Sequence, residues 1–391
     1  MPEYTYVIVG GGMTAAAAAE SIRQHDPAGT VGMIGAEPDP PYNRPPLSKG
    51  LWKGEPLDSI WRETAGVTLH LGRRAVGLDP ESKTVTDDRG AVYRYGKLLL
   101  ATGAAPRRLG FDDGSVIYFR TLEDYRNLRV LAGAKRRFAV IGGGFIGWEV
   151  AAALAMNGQA VTMLFPEATI GARVYPAELG AFLNQYYRDK GVRVVTGCEV
   201  TGMTATAEGT VLATRAHGEF LVDAVVAGIG VRPATELAEM AGLKVDNGIV
   251  VDELLRTSHP GIYAAGDVAN FPVPVLGRIR VEHEDNANTM GREAGARMAG
   301  ETQPYRHLPF FYSDLFDLGY EAVGDLDARS ETVAEWKEPF REGVVYYLRE
   351  GRVRGVLLWN VWGQVEAARR LIAEPGPFRA RDLRGRLPAA A

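Results

Sequence analysis

Residues 4–9 are a β-branched and aromatic run that breaks into Gly10, Gly11 and Gly12 and resumes as an almost unbroken alanine stretch over 13–20. Strand, glycine turn and helix are the expected elements. Gly10 lets the backbone turn tightly, Gly12 leaves room for a pyrophosphate at the helix N-terminus, and Ala15 stands where a third small residue lets helix and strand pack closely. A second strand over 30–34 runs towards Glu37, an acid placed to bind a ribose hydroxyl. The pattern then returns. Residues 137–141 read as a strand, Gly142, Gly144 and Gly147 complete G-x-G-x-x-G, a helix continues over 148–155, and a strand over 160–165 leads to Glu167. One glycine fingerprint is compatible with any tight turn, but two in tandem, each with an acid downstream, restrict the chain to two dinucleotide-binding βαβ units.

With 391 residues, 46% hydrophobic and 24% charged, the chain has globular statistics and length for two or three domains. It has no basic leader and no run of roughly 18 apolar residues that could cross a bilayer. A soluble, cytoplasmic protein with no membrane span is expected. The net charge of −4 offers no general attraction for nucleic acid. Cys198 is the only cysteine, which excludes an intramolecular disulfide and any C-x-x-C pair.

Between the fingerprints, residues 38–46 are too proline-rich for regular helix or central strand and are expected to run extended as far as Lys49. Short alternations over 67–95 suggest a small antiparallel excursion, followed by a strand at 97–100 that enters Ala101-Thr102-Gly103. A helix is expected over 122–131, a strand over 221–229 running into Gly228-Ile229-Gly230, and another over 262–265 before Gly266-Asp267. Residues 286–298 read as helix. From 309 onward aromatic, strand-like runs at 343–349 and 353–360 precede a final helix at 364–372, predicting a separate α+β domain with a mainly antiparallel sheet.

Taken in order, the first fingerprint, Ala101-Thr102-Gly103, the nested second fingerprint and Ala264-Ala265-Gly266-Asp267 resemble the two-dinucleotide flavoprotein reductases of the glutathione reductase-like superfamily. The single cysteine excludes the redox-disulfide branches. Pro41-Tyr42-Asn43-Arg44-Pro45-Pro46-Leu47-Ser48-Lys49 is similar to the branch of ferredoxin and rubredoxin reductases and apoptosis-inducing factor. Within it, Phe165-Pro166-Glu167, Val281-Glu282-His283, Phe311-Tyr312-Ser313-Asp314 and Leu318-Gly319-Tyr320-Glu321 favour an apoptosis-inducing factor-like protein. The loop between Thr332 and Gly343 lacks the long polar insertion of the animal protein, and no targeting segment precedes the first strand, so membrane tethering and a death function are not implied.

The resemblance implies an α/β protein with two Rossmann-like domains, an FAD domain (1–117 and 243–308) split by an inserted NAD domain (118–242), and a C-terminal α+β domain (309–391). It implies an FAD-dependent NAD(P)H oxidoreductase, NADH preferred. Hydride passes from NADH to flavin N5, and electrons go directly to an external acceptor. FAD is expected on Gly10, Gly12, Met13, Thr14 and Glu37, with Val76 at adenine and Arg44, Ala101, Thr102, Gly103, Arg120, Gly266 and Asp267 along the flavin nucleotide. NADH is expected on Gly142, Gly144, Phe145, Ile146, Glu167 and Gly230, with Glu321 contributing from the third domain. Glu167 favours NADH because a carboxylate repels a 2′-phosphate, although Arg173, six positions on, is within reach.

Lys49, Glu149 and His283 are the implied catalytic residues, the first two as a pair beside the flavin and His283, with Glu282, near its pyrimidine end, where it would couple flavin protonation to pH. A buried lysine favours the anionic reduced flavin and keeps the carboxylate charged. His283 is expected to titrate near neutrality; the bland alternative for it and Glu282 is helix capping. Phe311, Tyr312, Trp359 and Trp362 either pack over the flavin or form core, with core the expectation for both tryptophans. The C-terminal arginines, Arg369, Arg370, Arg379, Arg381, Arg384 and Arg386, either steer an acidic ferredoxin or form a solvated face. No metal site is expected.

Three readings stay open. The chain is a reductase for ferredoxin, rubredoxin, quinone or oxygen; or a sensor or assembly factor whose NADH charge-transfer complex links monomer to homodimer; or a structural or DNA-binding module, which the net acidity opposes.

Overall fold

The computed structural model describes residues 1–134 and 136–387. The last four residues of the expected third domain lie outside them. The chain divides into two compact units, Met1–Asn43 with Leu57–Ala105 and Arg232–Pro309, and Arg44–Pro56 with Pro106–Val231 and Phe310–Ala391.

In the first unit a sheet runs Val67–Leu71, Val31–Gly35, Glu3–Val9, Val92–Leu100, Thr84–Asp87 and Ala75–Asp79, and Ile262–Ala264 also pairs with Val92–Leu100. The central pairings are parallel, with Val9 opposite Ile34 on one side and Leu100 on the other. Their apolar residues are almost wholly buried, as expected for parallel strands covered on both faces. The helix Met13–His25 buries Ala15 to Ala19 and packs on Glu284–Met298. Small residues permit this: a Cβ on Gly291 or Gly295 would fall inside 3.0 Å of Thr14 O or Ala18 O.

The second unit holds a four-stranded parallel sheet in the order Arg193–Val195, Ala160–Leu164, Arg137–Ile141, Ala224–Ala227. Its helix, Phe145–Met156, follows the second fingerprint. Leu122–Ala132 is started by a capping box in which Thr121 and Asp124 satisfy each other's backbone N–H groups. A three-stranded antiparallel sheet, Val200–Thr206, Gly209–Thr214 and Glu219–Val222, packs over the parallel one through Leu164, Leu212, Phe220 and Val225, with Cys198 buried among them. The unit also contains a five-stranded antiparallel sheet in the order Phe310–Leu315, Leu318–Gly324, Arg352–Trp359, Glu342–Arg349, Glu331–Glu338, followed by the helix Val365–Ala373. The two Rossmann-like sheets and the C-terminal antiparallel sheet are the architecture expected.

Local expectations fail in three places. The proline stretch does not run extended to Lys49: Pro45–Ser48 and Gly50–Trp52 are 3₁₀ turns, with proline in the first turn, where a fixed φ fits and an N–H is not needed. Residues 67–71 belong to the main sheet, parallel to Val31–Gly35; alternation alone does not distinguish parallel from antiparallel pairing. Residues 221–229 are not one strand. They divide at Asp223 between the two sheets, because its carboxylate accepts hydrogen bonds from Arg137 N (2.7 Å) and Arg137 Nη2 (2.7 Å).

No helix of the described residues is long and apolar enough to cross a membrane. At the second fingerprint, Gly142 has φ +117, and a Cβ on Gly147 would fall inside 3.0 Å of Gly142 O, whereas one on Gly144 would meet nothing within 4 Å. Gly147→Ala should therefore destabilise the fold by about 1–3 kcal/mol through overpacking. Gly144→Ala should cost less than about 1 kcal/mol. Denaturant midpoints of the two variants measure the difference.

Candidate functional site

The two fingerprint helices share one electrostatic peculiarity. Met13–His25 starts at Gly12 and Phe145–Met156 at Gly144; neither N-cap has a side-chain cap bond, and neither first turn carries an acid. Their first N–H groups and positive helix ends are thus left for an anion. Gly144 sharpens the point. Its φ of −97 suits any residue, and no neighbour crowds its Cβ position, so the open space before it is what a glycine preserves. A pyrophosphate fits there by charge and by room.

In the first unit, Gly10 lies against Ala101, and Gly266 against the Thr14 side chain. The structure therefore gathers Gly10, Gly12, Met13, Thr14, Ala101, Thr102, Gly103, Gly266 and Asp267 around one helix start. Thr102 Oγ1 donates to Ala234 O (2.7 Å). Glu37, at the end of the second strand, accepts a 2.5 Å hydrogen bond from Tyr42 Oη. Gly72 N and Arg73 N donate to Glu37 O and Gly35 O, which brings the segment carrying the exposed Val76 beside that acid. Arg280 pairs with Glu282 (2.7 Å) and donates to Asp267 O.

His283 occupies the N-cap of Glu284–Met298 but makes no side-chain cap bond, so the capping alternative is not realised. Its Nδ1 is sealed from solvent. Burial pushes the imidazole down to about 4, against the opposing pull of Asp267 and Asp285. The expected titration near neutrality is corrected: desolvation keeps this ring neutral.

In the second unit, Arg44 Nη1 donates to Arg120 O (2.8 Å), joining those two residues. Gly142 abuts Gly228, and Gly230 O accepts from Arg107 N. Beside Ile146 in the first helical turn, the half-exposed Phe145 ring lies 4.7 Å from Trp148 and 5.5 Å from Phe311. Glu167 is 32% exposed and meets the outward-pointing Arg173 at 3.4 Å, so the arginine does reach the acid. Glu321 stands opposite Tyr312 in the antiparallel ladder, and its Oε2 accepts from Gly363 N (3.1 Å).

Lys49 and Glu149, 100 residues apart, form a 2.7 Å ion pair with side chains 13% and 6% exposed. Glu149 Oε2 takes both Lys49 Nζ and Ser48 Oγ (2.6 Å); Oε1 takes Ser313 Oγ (2.6 Å). Trp148 Nε1 donates to the same Ser313 oxygen at 2.9 Å. The ammonium also lies 5.5 Å from the Tyr312 ring. Sequence reasoning assigned no role to Ser48 or Ser313, although both stand inside the motifs that carried the resemblance. Trp359 is core, stacked on Tyr320, but Trp362 is 48% exposed. It follows the turn at Asn360, whose φ of +50 carries the chain out of the sheet. Arg369 and Arg386 pair with Glu366 and Glu374.

The His283 shift sets a pH dependence. Between about pH 6.5 and 4 the unfolded chain carries a proton on this ring that the folded chain refuses. The stability due to neutral His283 is therefore complete above the higher value and lost as pH falls, on the order of 3 kcal/mol in all. Replacing His283 with Gln should flatten the fall of melting temperature across that window, as thermal melts at a series of pH values would record.

Residues 4–291 match the pyridine nucleotide-disulphide oxidoreductase family, and residues 294–339 and 334–374 match the C-terminal family of mitochondrion-associated apoptosis-inducing factor. The chain is 37% identical to the anthranilate 1,2-dioxygenase system ferredoxin–NAD(+) reductase component of Burkholderia cepacia, over 96% of this chain and 97% of that one. It is 31% identical to mitochondrial apoptosis-inducing factor 1 of Dictyostelium discoideum, over 95% and 78%. Among solved structures, the covalent putidaredoxin reductase–putidaredoxin complex superposes with a TM-score of 0.89 at 30% identity, covering 95% of this chain and 93% of that chain. The chain belongs to the pyridine nucleotide-disulphide oxidoreductase family and is an FAD-dependent NAD(P)H oxidoreductase.

Proposed function

We propose that this protein is an NADH-dependent reductase that delivers electrons singly to a ferredoxin-class iron–sulfur protein. The observation that carries the reading is the state of its only cysteine. Cys198 is buried and free, and burial raises its thiol above the ordinary range. No dithiol relay is available, so electrons leave for an acceptor outside the chain. The names of the reductase from Burkholderia cepacia and of the putidaredoxin complex support an iron–sulfur carrier in that role.

Bound FAD supplies the exchange between a two-electron donor and one-electron acceptors. Gly10, Gly12, Met13 and Thr14 would hold its pyrophosphate; Glu37 would hold the adenosine ribose and Val76 the adenine. Ala101, Thr102, Gly103, Gly266, Asp267, Arg44 and Arg120 would position the remainder, with Glu282 and neutral His283 at the pyrimidine end. Gly142, Gly144, Phe145, Ile146, Gly230 and Glu321 would take the nicotinamide dinucleotide. Lys49 and Glu149 would bias the flavin's redox balance by charge, the ammonium favouring an anionic reduced form. A cytoplasmic location fits this reading.

The cofactor preference follows from Glu167. Its carboxylate would receive ribose hydroxyls and repel a 2′-phosphate, while also occupying the nearby Arg173. Glu167→Gln removes the repulsion and releases the arginine, and should narrow the NADH over NADPH ratio of kcat/KM by about tenfold or more. An unchanged ratio would mean that Glu167 does not read the ribose.

The acceptor is tested by adding NADH anaerobically to the yellow holoprotein and then mixing in a reduced-carrier-free ferredoxin. The flavin should bleach with NADH and recover within the time of a few turnovers on meeting the carrier, with no change in elution volume. A persistent long-wavelength band, conversion to dimer and slow recovery with every carrier would instead identify a sensor.

A further inference from the structure

Ser313 is wholly buried and lies on the strand Phe310–Leu315, 164 residues from Glu149. Its hydrogen bonding is determined by elimination. An indole nitrogen only donates, so the 2.9 Å contact from Trp148 Nε1 must end on a lone pair of Ser313 Oγ. The Tyr320 hydroxyl also neighbours Ser313, but it carries a proton of its own to donate, so the single proton of Ser313 goes to the acceptor-only carboxylate oxygen Glu149 Oε1, at 2.6 Å. The indole cannot easily turn away. Trp148 is fully buried, with Phe145 4.7 Å and Tyr175 5.5 Å from its ring.

The opposite oxygen of Glu149 is held from another segment, by Lys49 Nζ and Ser48 Oγ. Each carboxylate oxygen is therefore pinned from its own direction, and the plane of the group is fixed. Ser313 alone supplies Oε1 among the described contacts. Without it, Oε1 faces no donor and the carboxylate is free to turn, which loosens the hold of Oε2 on Lys49 Nζ. The charge balance with Lys49 then changes.

We propose that Ser313 is a positioning residue that keeps Glu149 oriented against Lys49, and so sets the redox balance of the bound flavin through that pair. The inference rests on the reading that Lys49 and Glu149 bias the flavin. Ser313 touches neither partner of the electron transfer; it acts through the carboxylate.

The test poises the holoprotein at fixed potentials and reads the ratio of reduced to oxidised flavin from its spectrum, for wild type, Ser313→Ala, Glu149→Gln, the double variant of these two, and Lys49→Ala. Loss of the hydroxyl leaves Lys49 less fully compensated. Ser313→Ala should therefore raise the reduced-to-oxidised ratio by about three- to tenfold at a given poise. Glu149→Gln should move it the same way and further. In the Glu149→Gln background, adding Ser313→Ala should change nothing more. Ser313→Cys keeps the shape and an acceptor for Trp148 but offers only a weak donor; it should fall between wild type and alanine, and serves if the alanine protein loses its flavin. An equal Ser313→Ala shift with and without Glu149 would overturn the proposal, because the serine would then act by general packing. So would no shift in Ser313→Ala while Glu149→Gln shifts the ratio. If Glu149→Gln and Lys49→Ala both leave the ratio unchanged, the reading of the pair itself fails, and the proposal with it.

Discussion

The close approach of the second fingerprint helix to the strand end that precedes it governs much of the chemistry available to this protein. At the second fingerprint a carbonyl of Gly142 sits where a side chain on Gly147 would have to be. The helix can start there only because that position carries hydrogen alone. The result is a helix end that projects N–H groups into the space in front of the sheet, without a capping side chain or an acid in the first turn. A bare positive end of this kind is stabilised by an anion, and the diphosphate of a dinucleotide is an anion of suitable size and charge. The first fingerprint has an equally bare helix start at Gly12, with Ala15 in the place of Gly147.

The same turn also places the buried ion pair. Glu149 stands two residues after Gly147, so its position is an outcome of the helix start, while its partners come from residues 48–49 and 313. Removing a carboxylate from water is costly, and the cost is offset only when its oxygens are fully supplied with donors. Here one ammonium and two hydroxyls supply them. Apolar residues of similar volume would hold these three distant segments together as well, which supports the charge-setting role proposed for the pair.

Much of this could be read from residue order. The two strand–turn–helix units, the acids at Glu37 and Glu167, the antiparallel character of the C-terminal sheet and the pairing of Lys49 with Glu149 were all expected. The errors have specific causes. Prolines 45 and 46 exclude a long helix but suit a single 3₁₀ turn, so proline content alone misjudged the segment. An apolar run over 221–229 concealed a change of sheet, because Asp223 binds a neighbouring strand's backbone and guanidinium. Trp362, apolar by composition, is turned outward by the backbone at Asn360.

The sequence by itself determined the elements whose causes are local: backbone sterics at glycine and proline, strand and helix periodicity, and the spacing from fingerprint to acid, all acting within some thirty residues. Only the tertiary structure decided which hydroxyls join Lys49 at Glu149, how Ser313 spends its one proton, and that His283 stays neutral. Hydrogen-bond partners more than a hundred residues apart and the desolvation of a side chain depend on what the folded chain brings around a group, and no local pattern carries that information.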